Sequence, residues 1–180
     1  VTLAKVWNRV ERRDSNVSGE VASKRFCVLA FGKLGGEELN YSSDIDLMGI
    51  YENGETGPRG ETTQSAPYAS AMTLLREALS SHTPEGHVYR VDLRLRPFGK
   101  AGQLVFSETG LCDYYRQSAS LWEIQALLKM RPVAGNTELG LRVRNNLSPL
   151  VLSSGKSGDA VAASIHTLRD KAIQTKPPRL

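Results

Sequence analysis

Cysteine is scarce in this sequence, two in 180 residues, and neither Cys27 nor Cys112 belongs to a CxxC or a Cys/His cluster. That argues against a disulfide framework and against a zinc site, and a reducing compartment is expected. Long apolar runs are lacking too. None approaches the roughly 20 residues that span a bilayer, and the opening VTLAKVWNRVERRD has no signal-peptide apolar region. A soluble cytoplasmic chain with no membrane partner is the expectation. Nor is charge of one sign in large excess: 23 Lys+Arg against 19 Asp+Glu leave a formal +4, too little to argue for nucleic acid. An initiator methionine is missing and the chain stops at Pro178-Arg-Leu180, so it reads as part of something longer.

What is present suits an α/β domain. With 40% hydrophobic residues the chain can bury a core of ordinary size. Residues 2–13 predict a short basic helix and 14–24 are polar and turn-rich, so 1–24 reads as a lead-in. The run Phe-Cys-Val-Leu-Ala-Phe at 26–31 predicts a central strand covered on both faces. Gly32-Lys-Leu-Gly-Gly36 then demands a sharp turn that can open a short helix with its N–H groups toward a phosphate. A second strand follows at 43–50.

Farther on, 52–67 is rich in Gly, Pro, Thr and Glu and predicts an exposed loop, and 68–80 predicts a helix. From His87 to Arg96 the alternation is strict, Val88 being the only exception, with Tyr89, Val91, Leu93 and Leu95 on one face and Arg90, Asp92, Arg94 and Arg96 on the other, as in a strand. Residues 103–107 read as a short strand and 108–130 as one amphipathic helix, with Tyr114, Tyr115 and Trp122 as packing residues. Helical pieces are expected near 138–146 and 160–173. The predicted organisation is a small mixed sheet with packed helices over 25–135, then the start of a helical segment over 136–180.

The chemistry concentrates in the two strands that carry acids. Strand residues two apart share a face and lie about 6.6 Å apart, so Asp44 and Asp46 project together while Ile45 and Leu47 pack behind. Such a pair repels itself unless a cation intervenes, and hard oxygen ligands are what Mg²⁺ or Mn²⁺ prefers. Asp92, the only acid on an ionic face otherwise built of arginines, is the candidate third ligand. Three carboxylates can hold two metals that activate an attacking oxygen and stabilise a leaving group, while arginines neutralise phosphate.

Gly32-Lys33, ten residues, then Asp44-Ile-Asp46-Leu resembles the signature of the DNA polymerase β nucleotidyltransferase superfamily, whose third ligand Asp92 matches. More narrowly, GKLGGEELNYSSDIDL at 32–47 and YRVDLRLRPFGKAG at 89–102 resemble the two signature blocks of glutamine synthetase adenylyltransferases, and DYYRQSASLWEIQALLKMRPVAGN at 113–136 is similar as well. The resemblance covers roughly 26–136. It implies a polymerase β-like fold, Asp44, Asp46 and Asp92 as catalytic metal ligands, and Gly32, Lys33, Gly35, Gly36 and Ser43 beside the phosphates, with Arg94 and Arg96 nearby. It further implies Mg²⁺ or Mn²⁺, ATP or ADP and phosphate as substrates, glutamine synthetase as protein substrate, and a PII-type signal protein acting through a full-length parent.

Members of that family pair two related domains, one adding AMP to a tyrosine of glutamine synthetase and one removing it by phosphorolysis. The blocks ELNYSSDIDL and RLRPFG resemble the removing half, and LWEIQALLKMRPVAG the adding half, so both activities stay open. A regulatory nucleotide-binding module, or transfer to a small-molecule hydroxyl, are the other readings. The plainer readings stand beside these. Asp44 and Asp46 could cap a turn, Asp92 could pair with a neighbouring arginine, the glycines could serve positive φ alone, and the arginines could solvate a sheet face. His82, His87 and His166 are assigned nothing.

Overall fold

The computed structural model describes residues 3–15, 17–41, 43–53, 65–83, 86–87 and 89–154. Two helices, α1 (Leu3–Arg13) and α2 (Gly19–Lys24), precede strand β1 (Phe26–Phe31), the single-turn helix α3 (Gly32–Gly35) and strand β2 (Asp44–Tyr51). Helix α4 (Ala66–Ser80) leads to a small separate hairpin, β3 (His82–Thr83) with β4 (Gly86–His87). Then come β5 (Arg90–Asp92), β6 (Val105–Ser107), α5 (Glu108–Gln117), α6 (Leu121–Ala126), β7 (Arg131–Gly135) and α7 (Thr137–Ser154), with single 3₁₀ turns at Gly99–Ala101 and Leu127–Lys129.

The sheet is mixed. Its order is β5-β2-β1-β7, with β6 also on β2; β1 runs antiparallel to both β2 and β7, whereas β5 and β6 run parallel to β2. All six residues of β1 are buried, as a strand covered by helices on both faces requires. Alternate residues serve two cores. Phe26, Val28 and Ala30 join Ile45 and Leu47 against α1 and α4, through Trp7, Val10, Met72 and Leu74. Cys27, Leu29 and Phe31 join Met48 and Ile50 against α5 and α7, through Leu111, Tyr115, Leu139 and Val143. In the first core Tyr68 stacks on Tyr51 with ring centroids 4.7 Å apart, and Trp7 meets Phe26 edge-on at 5.5 Å.

Several expectations change against this frame. The polar stretch 14–24 holds a helix, α2, whose Ser18 hydroxyl accepts from the Val21 N–H, a hydrophilic but helix-starting signal. Within the segment read as a lead-in, Val6, Trp7 and Val10 are each only 2% exposed, because α1 lays its apolar stripe on the sheet. The single helix expected over 108–130 is broken between Gln117 and Leu121. There the Glu123 carboxylate accepts from both the N–H and the hydroxyl of Ser120 (2.9 and 2.6 Å), a capping arrangement that restarts the helix as α6. Tyr115 is core as read and Tyr114 is half-buried, donating to Glu123 at 2.6 Å, but Trp122 is 39% exposed.

Residues 131–135, given no element from the sequence, form edge strand β7. Its Pro132 sits where the register with β1 shifts, a position that tolerates a missing N–H. The strand expected from His87 to Arg96 is confined to Arg90–Asp92: His87 belongs to the separate β3/β4 hairpin, and at the far end the Asp92 side chain takes the Arg94 N–H (2.8 Å) and turns the chain. After β7, α7 buries Leu139, Val143 and Leu147 on the sheet. Most of the loop read at 52–67 and the helix read at 160–173 lie outside the described residues, as does His166.

Candidate active site

The site lies at the end of the sheet where β1 hands over to α3 and β2 begins. The β2/β5 pairing sets Asp44 opposite Arg90, Ile45 opposite Val91 and Asp46 opposite Asp92. Ile45 and Val91 go to the core beneath α4, so the period of two turns Asp44, Asp46 and Asp92 to the opposite face. The three sequence-predicted carboxylates, 48 residues apart along the chain at the extremes, thus share one face of two adjacent strands.

Their electrostatics differ. Burial first, then the charges of Asp92 and Asp44, hold the Asp46 carboxyl above its ordinary range against a weaker pull from Arg94. Hydrogen bonds from Arg94 hold Asp92 below its ordinary range: Nε donates to Oδ1 at 3.0 Å and Oδ2 at 2.8 Å, and Nη2 also donates to Oδ2. The plainer reading of Asp92 as an arginine partner therefore holds alongside any other role. Asp44 is likewise matched, by Arg90 Nε at 2.6 Å.

Gly32 explains why no side chain intrudes here. Its φ is +55°, and a Cβ added to it would lie 2.6 Å from Asp46 Oδ2, so both backbone conformation and space require glycine. Gly35 is needed for a different reason: a Cβ there would meet the Lys129 carbonyl oxygen at 1.8 Å. Gly36 has an ordinary φ of −82°, and the left-handed residue of this turn is Glu37, at 61°. The expectation of positive φ thus applies to Gly32 alone of the three.

The turn brings Lys33 and Ser43 together, ten residues apart. Lys33 Nζ donates to Ser43 Oγ at 3.3 Å and to Asn40 Oδ1 at 3.1 Å, and the Ser43 hydroxyl also donates to Asn40. Asn40 was not singled out from sequence, although an Asn four residues before Asp44 is a usual turn former. Arg131 was also missed. Its Nη2 and Nε donate to the carbonyls of Leu34 (2.8 Å) and Gly35 (3.1 Å), fixing α3 from β7. No sequence pattern marks a bond across 97 positions.

Arg94 and Arg96 stand on the turn after β5 and line one cavity together with Asp44 and Asp92. Arg94 is exposed. Arg96 is half-buried, donating to the Leu93 carbonyl, and burial pulls its guanidinium below its ordinary range.

The donor chemistry fits a hard divalent cation: oxygen ligands only, on one face, two of them already matched by guanidinium groups in the place of a cation. As the side chains are oriented, no three His, Cys, Asp or Glu residues among the described residues converge closely enough to hold an ion. No helix among the described residues is long and apolar enough to cross a membrane.

A family model described as glutamate-ammonia ligase adenylyltransferase matches residues 1–146. The chain is 41% identical over 148 residues to a protein of Thioalkalivibrio sulfidiphilus named bifunctional glutamine synthetase adenylyltransferase/adenylyl-removing enzyme, covering 79% of this chain and 15% of that one. Proteins of the same name from Streptomyces coelicolor (36% over 159 residues; 88% of this chain, 16% of that one) and Xanthobacter autotrophicus (39% over 143; 79% and 14%) are also similar. The chain thus spans only about 15% of the length of the curated relatives it matches. With 1–146 of its 180 residues matched by the family model, the chain belongs to the glutamate-ammonia ligase adenylyltransferase family.

Proposed function

We propose that this chain is a metal-dependent nucleotidyltransferase domain that moves an adenylyl group between a nucleotide and a tyrosine of glutamine synthetase. The observation that carries the reading is the parallel register that pairs Asp46 with Asp92 and puts Asp44 one step along the same face. Mg²⁺ or Mn²⁺ held by Asp44, Asp46 and Asp92 would supply the positive charge that activates the attacking oxygen and steadies the leaving one.

The chain's own groups would do the rest. Gly32 leaves the backbone open beside Asp46, so a phosphate can approach without meeting a side chain. Lys33 and Ser43, already joined through Asn40, offer an ammonium and a hydroxyl to phosphate oxygens. Arg94 and Arg96 add guanidinium groups on the far side. A polymerase β-like fold over 25–135 accommodates these parts, with 136–180 as the start of a following helical segment. The cytoplasm is where the substrates meet, and a PII-type signal protein would act through the full-length parent.

Adding and removing share this chemistry and differ in the attacking group. One pair of incubations separates them: the chain with glutamine synthetase, Mg²⁺ and labelled ATP, and the chain with adenylylated synthetase, Mg²⁺ and phosphate. Label on the synthetase assigns addition and ADP release assigns removal, each abolished in Asp44→Asn/Asp46→Asn. A folded, metal-loaded chain inert in both would defeat the reading in favour of a regulatory module.

A further inference from the structure

We propose that the cavity of about 480 Å³ between α4 and β5 is a phosphate-binding subsite whose principal cations are Arg76 and Lys100. Its part in catalysis rests on the transferase reading above; its capacity to bind phosphate does not.

Five cations and two carboxylates line the cavity. Arg90 is engaged by Asp44 at 2.6 Å and Arg94 by Asp92, which leaves the positive charge of Arg76, Arg96 and Lys100 in excess. Arg76 comes from α4 and Lys100 from the turn after β5. Both are exposed, and neither is in a salt bridge among the described residues. Val91 and Leu93 complete the lining.

Arg96 Nε is shut off from solvent and has no hydrogen-bond partner among the described residues, while its Nη1 is committed to the Leu93 carbonyl. Buried donors in this state are rare, so the wall includes a guanidinium whose bonding the protein leaves incomplete. Cations that outnumber the acids beside them suit a small ligand with two or more negative charges and several acceptor oxygens, which describes a phosphate. A neutral ligand would leave the mutual repulsion of the cations in place.

Position gives the subsite its meaning. Asp44 and Asp92 line it as well, so it reaches round the β5 edge of the sheet to the carboxylate face, and on the transferase reading a phosphate bound there lies next to the group being transferred. In removal, an oxygen of this phosphate forms the new P–O bond while the bond to the tyrosyl oxygen breaks. That oxygen takes up a proton, and a nucleoside diphosphate leaves. In addition, the same cations hold the outgoing pyrophosphate portion of ATP.

The test uses the full chain without metal and without glutamine synthetase, so that failure of the transferase reading leaves its result intact. Inorganic phosphate, pyrophosphate and ATP are titrated calorimetrically at low ionic strength into the native chain, Arg76→Gln/Lys100→Gln, Arg76→Lys and Lys5→Gln. Circular dichroism confirms that each variant is folded. The expected result is at least about a tenfold loss of affinity in the double variant, partial recovery in Arg76→Lys and no change in Lys5→Gln, which removes one exposed charge elsewhere. A loss seen with phosphate identifies the free anion as occupant, and one seen only with pyrophosphate and ATP identifies the polyphosphate tail. Native-like binding of all three by the double variant, an equal loss in Lys5→Gln, or no binding by the native chain would overturn the proposal.

Discussion

Asp46 stands directly opposite Asp92 in the parallel pairing of β2 with β5, so two acids occupy adjoining positions on one face of the sheet. Like charges so placed destabilise a fold. The molecule compensates one of them, Asp92, with Arg94, and leaves Asp46 half-buried with its carboxyl held above the ordinary range.

Asp46→Asn should therefore separate activity from stability. Adenylyl transfer or removal should fall at least about a hundredfold, since the charge that a carboxylate-held metal supplies is worth several kcal/mol. Stability at neutral pH should not fall, because an acid whose folded pKa lies above its unfolded one is destabilising when ionised. The variant's advantage should be present at neutral pH and vanish as pH drops below the unfolded aspartate pKa of about 3.9. Urea unfolding of both proteins at the two pH extremes reads this directly; a large loss of stability at neutral pH would contradict it.

Gly35→Ala and Gly36→Ala should behave unlike one another. At Gly35 the new methyl would lie 1.8 Å from the Lys129 carbonyl oxygen and 2.8 Å from that of Ala30, both rigid backbone. At Gly36 the nearest atom is Cδ of the Lys129 side chain, at 3.0 Å, which can swing away. We expect a cost of about 3 kcal/mol for the first and under about 1 kcal/mol for the second by chemical denaturation. Equal costs would mean that α3 is not wedged against the Leu127–Lys129 turn.

The two thiols should be inert in the native protein. Cys27 is fully buried beneath α7 and burial pushes its thiol up to about 12; Cys112 is raised too, again chiefly by burial. Thiolate is the reactive form. Ellman's reagent at mildly alkaline pH should find no thiol before denaturant and two per chain after it. Prompt reaction of either in the native state would show that the α5/α7 core opens.

Much of this was legible in the residues. The buried run of β1 and the Asp-x-Asp of β2 are local patterns, and the structure turns them as their period demands. Strand β5 was legible only in part: the alternation continues to Arg96, but the chain leaves the sheet where the Asp92 side chain captures a backbone N–H. The break before α6 was also readable, since Ser120 followed by Glu123 is a helix start, yet the continuous apolar spacing hid it. What could not be read is what joins distant segments: the parallel register of β2 with β5, the insertion of β6 beside β2, and Arg131 reaching back to α3. Those depend on three-dimensional closure, and Pro132 argued against the strand that delivers Arg131.

The clasp of Arg131 on the Leu34 and Gly35 carbonyls has a consequence in time. Synthesis runs from the amino end, so both carboxylate strands exist well before position 131 leaves the ribosome. Until then β1 has only one of its two neighbours, and the turn beside Asp46 is without its fastening. Closing a loop of that length is slow, so the turn beside Asp46 is among the last parts of the domain to set, and a nascent chain carries its acids before the backbone next to them is fixed.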